Sequence, residues 1–215
     1  MEQHHVGILL FRGVEVLDFC GPFEVFSVAR FSEGHRRDER SPFEVKLVAE
    51  TLDVIVATGG LRVLPDYDLN SCPLLDILVV PGGWGTREGI KNERLINWIA
   101  ARGREVKTLT SVCTGSMLLG RAGLLDGLRA TTHWCSLDWM HDSFPAVTVE
   151  RELHVVEDGR VLTSAGISAG IDMALHVVSR YCGEKIARAT ARHMEYAFPD
   201  DNTRRVGPST EKFSQ

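Results

Sequence analysis

"TLTSVCTGSMLLGRAGLL" (residues 108–125) changes character at one residue. A strand-like run with β-branched residues, Thr108 to Val112, stops at Cys113; Thr114, Gly115 and Ser116 follow, and Met117, Leu118 and Leu119 open a helical pattern. A residue at so tight a strand-to-helix corner is held in a strained conformation with its side chain exposed, and its neighbours must be small. The following helix points its first N–H groups at the sulfur, which favours thiolate over thiol and predicts a nucleophile near pH 7. A free cysteine is often just a small buried apolar side chain. The strand–Cys–Thr–Gly–Ser–helix context favours the nucleophile.

The same alternation extends outward in both directions. "HVGILLF" (5–11), "FEVKLVA" (43–49), "LLDILVV" (74–80), "VKTLTSV" (106–112) and "RATT" (129–132) read as strands, several of them apolar on both faces. Asn92 is placed to cap a helix that ends before Gly103, and Pro22 suits the first turn of a helix running to about Phe31. A hairpin turning at Asp158-Gly159 precedes two helices, 168–182 and 184–196, parted by Gly183. This order predicts an α/β fold: a mostly parallel sheet covered on both faces. One domain is expected over residues 1–198, followed by a polar tail, 199–215, disordered or packed on a neighbour.

Ligands of open α/β sheets gather at the carboxyl ends of the strands, so chemistry is sought there. Besides Cys113, three strand ends qualify. Asp18, in "EVLDFCGPFEVF" after the first strand, sits between Leu17 and Phe19; desolvation and a nearby thiolate would raise its pKa and let it act as acid or base, the plain alternative being a helix cap. "PGGWG" (81–85) lets backbone N–H groups turn inward as an anion nest, although it lacks the third glycine of a dinucleotide fingerprint. "ATTHW" (130–134) ends a short strand with His133, which suits substrate orientation or proton transfer as well as a purely structural role.

Composition narrows the classes. With 215 residues, 44% hydrophobic and 25% charged, the chain is an ordinary globular protein. A net charge of −5 argues against nucleic acid or an anionic membrane as partner, and the pairs Arg36-Arg37 and Arg204-Arg205 read as solvated surface. The five cysteines form no CxxC pair and the histidines no ligand spacing, so no metal, cofactor or disulfide framework is expected. No window is apolar enough for a membrane span or signal peptide, and a cytoplasmic location is expected. Cys20 and Cys135 lie close to candidate site residues; each reads as buried packing or as a resolving thiol.

Taken in order, "LDFCGPFEVF", "ILVVPGGWG", "SVCTGSMLLGRAGLLDGLRATTHW" and "TSAGISAGIDMAL" resemble the ThiJ/PfpI superfamily over residues 5–196. The resemblance implies a flavodoxin-like three-layer sandwich, a homodimer, and a nucleophile elbow at Cys113. It is closest to the isocyanide hydratases, through Leu17-Asp18, Gly21-Pro22, Cys113 to Ser116, residues 130–134 and Gly166 to Asp172. PfpI-type peptidases place a histidine where Thr114 stands, and deglycases and glyoxalases generally use glutamate where Asp18 stands.

The implied reaction is hydration of an isocyanide, a small-molecule substrate, to an N-substituted formamide. Cys113 is the implied nucleophile and Asp18 the proton donor. Backbone N–H groups of Gly83 and Thr114 would stabilise developing charge, with the Thr114 hydroxyl orienting substrate or water. Trp84, His133, Gly166 and Ile167 would shape the substrate site. Two alternatives accompany this reading. One is glyoxalase or deglycase chemistry on α-oxoaldehydes. The other is a non-catalytic redox or ligand sensor like the N-terminal domain of AraC-type regulators, whose further hundred or so residues of helix-turn-helix are not expected in a chain ending at Gln215.

Overall fold

The apolar runs pair into one sheet because each carries buried side chains on both faces and must be covered on both. The computed structural model describes residues 3–34 and 36–207. In chain order the elements are β1 (His4–Leu10), α1 (Val16–Val28), β2 (Phe43–Ala49), β3 (Ile55–Val56), β4 (Arg62–Val63), β5 (Tyr67–Asp68), β6 (Ile77–Val80), α2 (Thr86–Gly89), α3 (Glu93–Glu105), β7 (Thr108–Val112) and α4 (Gly115–Arg121). They continue as β8 (Arg129–Ala130), α5 (Leu137–Ser143), β9 (Thr148–Val149), β10 (Val155–Asp158), β11 (Val161–Ser164), α6 (Ala169–Cys182) and α7 (Glu184–His193).

Seven strands form the main sheet in the order β10-β11-β7-β6-β1-β2-β5, parallel throughout except for the β10–β11 hairpin. The order β2-β1-β6-β7-β11 is flavodoxin-like, with its topological switch point between β1 and β6. The helices α1, α6 and α7 pack together over one face, and α3 and α4 over the other. Asn92 caps α3 as the sequence predicts, its Oδ1 accepting the Leu95 N–H at 3.2 Å.

Three features differ from the sequence reading. Pro22 lies inside α1 and not at its first turn, because the helix begins at Val16. This earlier start is what puts Asp18 on a helix facing the sheet. The hairpin β3–β4 and the short helices α2 and α5 were not anticipated; each is too short to show a period. Arg204 and Arg205 are not solvated surface. Arg204 donates to Thr131 Oγ1, to the Thr132 carbonyl at 3.1 Å and to the Arg151 carbonyl at 2.7 Å, and Arg205 pairs with the buried carboxylate of Asp172 at 2.6 Å. Both arginines supply donors to buried oxygens that lack secondary-structure partners, so residues 201–205 lie along their own domain. Residues 208–215 of the expected tail fall outside the described residues. Among the described residues, no helix is long and apolar enough to cross a membrane, and no group of three or more His, Cys, Asp or Glu is placed to hold a metal.

Candidate active site

Cys113 takes φ +54°, a left-handed conformation that costs a non-glycine residue of order 1–2 kcal/mol. The corner is enforced from both sides. A Cβ on Gly115 would lie 2.0 Å from the Val80 carbonyl oxygen, and one on Gly82 would lie 2.5 Å from the Thr114 nitrogen. The sulfur therefore sits at the carboxyl end of β7 beside the loop that leaves β6, one strand from the switch point.

Asp18 reaches the same place from α1. Its side chain is fully buried; Oδ2 accepts the Gly82 N–H at 2.9 Å, and Oδ1 has no hydrogen-bond partner. Burial pushes this carboxyl up to about 8, reinforced by the negative charge of Glu15 and opposed by the Gly82 N–H and the Cys113 thiol. Asp18 is thus protonated at neutral pH, as the sequence reading requires of a proton donor.

The thiol departs from expectation. Cys113 is only 6% exposed, and burial together with the Asp18 carboxylate pushes it well above the usual cysteine value. The N–H groups of Thr114 and Ile167 pull the other way without cancelling that rise. A one-turn dipole cannot offset desolvation of a thiolate, so the resting pair is a neutral thiol beside a neutral acid.

The glycine loop also works differently from an anion nest. The Gly82 N–H is engaged by Asp18, and the Gly83 N–H donates to Thr114 Oγ1 at 3.0 Å. The N–H groups directed at sulfur are those of Thr114 and Ile167, the latter residue also at φ +54°. The Thr114 hydroxyl is fastened further by Thr86 Oγ1 at 3.0 Å. Gly83, at φ +125°, passes so close to the loop after β1 that a Cβ would meet the Glu15 nitrogen at 2.4 Å. The glycines therefore hold Asp18 and Thr114 in place.

A cavity of about 190 Å³ opens onto the sulfur, small beside the roughly 300–1,000 Å³ of typical ligand pockets and mostly apolar. Cys113, Thr114, Gly83, Trp84, His133 and Ile167 all line it, so six of the eight expected site residues meet there. Asp18 lies behind the sulfur and Gly166 behind His133: a Cβ on Gly166 would overlap the His133 ring at 1.9 Å. Phe19 belongs to the core, and Trp134 stacks on His133 with ring centroids 5.3 Å apart. Sequence reasoning missed Glu15, Arg87 and Ser136 in the lining, and Thr86 behind Thr114. Arg87 reaches the cavity mouth by lying over the rings of Trp84, at 4.7 Å, and Trp139, at 5.5 Å; no local pattern encodes a contact between α2 and α5.

The model of the DJ-1/PfpI family matches residues 4–180. The chain belongs to the DJ-1/PfpI family. Within the family, it is 36% identical to the isonitrile hydratase of Pseudomonas putida over 193 residues, 89% of this chain and 78% of that protein. It is 35% identical to the HTH-type transcriptional regulator GbdR of Pseudomonas aeruginosa over 140 residues, 65% of this chain but only 38% of the regulator. Among solved structures, a ThiJ/PfpI family protein from Pseudomonas syringae superposes with a TM-score of 0.81 at 32% identity, covering 94% of this chain and 78% of that one.

The position of Asp18 makes stability depend on pH. The folded protein keeps the Asp18 proton between the unfolded value near 3.8 and about 8, so this group costs nothing at low pH and destabilises progressively as pH rises through that window. Asp18→Asn should match wild type near pH 4 and exceed its melting temperature by roughly 5 °C or more at pH 8.5, as a thermal-melt series across pH would show.

Proposed function

We propose that this protein is a cysteine-dependent hydro-lyase that adds water to an isocyanide and releases an N-substituted formamide. The observation that carries the reading is the pairing of a protonated, buried Asp18 with a neutral Cys113 thiol at the end of a small apolar cavity. The similarity to the isonitrile hydratase supports the choice of substrate class. The terminal carbon of R–N≡C must gain one hydrogen and one nucleophile, and the pair supplies both. As sulfur bonds to that carbon, Asp18 gives it a proton and the thiol proton takes its place on the carboxyl, leaving the thioimidate R–N=CH–S–Cys113. Water adds at the same carbon, a proton reaches nitrogen, the C–S bond breaks, and formamide departs with the thiol restored. A proton source near pH 8 suits such transfers better than an ordinary carboxyl. The N–H groups of Thr114 and Ile167 steady the sulfur as charge develops, while Trp84 and His133 bound the substrate.

Incubation with small alkyl and aryl isocyanides should yield the matching formamides. Asp18→Asn keeps the shape and removes the exchangeable proton, so it should lower kcat about 10²- to 10⁴-fold. Near-normal rates in that variant would refute the acid's role. Lactate from methylglyoxal, without formamide from isocyanides, would instead mark oxoaldehyde chemistry.

A second reading has an observation of its own, the 35% identity with a transcriptional regulator. On that reading the cavity binds a small molecule without converting it. Isocyanides that bind and are recovered unchanged would decide for it.

A further inference from the structure

A second sulfur faces the cavity. Cys135 lines the wall together with Cys113 and His133, and its Sγ lies 2.9 Å from His133 Nδ1. Burial and the nearby Arg204 charge lower the His133 pKa, so the ring is neutral at rest. The Cys135 backbone N–H points at Nδ1 from 3.4 Å, which leaves the ring proton on Nε2 and turns a basic lone pair toward the sulfur. Thiol, base and apolar chamber are thus brought together two residues apart, on the turn that follows His133. The other half-buried thiols make a useful contrast. Burial raises both Cys20 and Cys182, the latter to about 11, and neither lines the cavity.

We propose that Cys135, with His133 as its base, is a second reactive thiol of the cavity and its primary site of modification by soft electrophiles and hydroperoxides. The chemistry is independent of what Cys113 turns over. With a haloacetamide, the Cys135 sulfur bonds to carbon as the halide leaves and His133 Nδ1 takes the thiol proton. With a hydroperoxide, the sulfur bonds to one oxygen as the O–O bond breaks; the departing oxygen takes the proton from His133 and leaves as water or an alcohol, giving a sulfenic acid. Proton transfer accompanies the attack, because the resting ring is neutral. Cys113 lags behind, being more deeply buried beside a carboxyl group.

The test is substoichiometric alkylation of the native wild-type protein by iodoacetamide at pH 7, with each cysteine followed by peptide mass mapping. A parallel reaction uses hydrogen peroxide and a sulfenic-acid trap. Cys135 should react first in both, at least about tenfold faster than Cys20 or Cys182. In His133→Gln its rate should fall about tenfold while those two keep theirs. Reaction at Cys113, Cys20 or Cys182 ahead of Cys135 in the wild-type protein would overturn the proposal, whatever the variant does. An unchanged Cys135 rate in His133→Gln would overturn it as well.

Discussion

Cys113→Ala is expected to reduce isocyanide turnover at least about 10⁴-fold, the scale on which enzymes lose rate when a nucleophile is removed. No other group at the bottom of the cavity can take its place: Thr114 Oγ1 is held by Gly83 and Thr86, and Asp18 carries a proton at neutral pH. Cys135, on the wall, sits beside a different base and away from the acid. The fold should survive, because the substitution removes one atom and leaves the φ +54° corner as it was. Purified Cys113→Ala with a wild-type circular dichroism spectrum and undiminished formamide production would show that the sulfur does not carry the reaction.

Gly115→Ala is expected to damage the protein more than any other single added methyl group at this corner. Its Cβ would lie 2.0 Å from the Val80 carbonyl oxygen and 2.8 Å from both the carbonyl carbon and oxygen of Pro81. These are backbone atoms of β6 and its loop, so no side chain can rotate to make room. The α4 end of the elbow must move away from β6, at a cost of about 3 kcal/mol or more, which lowers the melting temperature by roughly 6–12 °C. Gly127→Ala is the control. Its Cβ meets nothing within 4 Å, and only the positive φ of 76° opposes it, for about 1 kcal/mol. A thermal melt that ranks the two equally would contradict this account of the elbow.

The architecture was legible because its signals are local and repeated. Apolar runs of strand length alternate with helix-length segments, and the strained cysteine announces itself through the glycine and serine that follow it. Six expected site residues meet at one cavity for the same reason: each lies at or near the end of a strand, and parallel strands bring those ends together. The electrostatics were less legible. The helix N-terminus behind Cys113 is visible in the sequence, but its opponent is burial, which depends on how α1 and the 81–85 loop close over the sulfur. The N–H of Gly83 was readable as an available donor only until Thr114, 31 residues on, folded against it. Arg204 and Arg205 look solvated in the sequence because their acceptors, at Thr131, Thr132 and Asp172, are brought near only by the tertiary fold.

The central claim is that Asp18 holds a proton at neutral pH beside a neutral thiol. The difference infrared spectrum of wild type against Asp18→Asn, followed from pH 5 to pH 10, reads that proton directly. The carbonyl stretch of a protonated carboxyl should be present at pH 7 and give way to the carboxylate band with a midpoint of about 8. A carboxylate band already complete at pH 6 would contradict the account, because Asp18 could not then supply the proton on which the reaction depends.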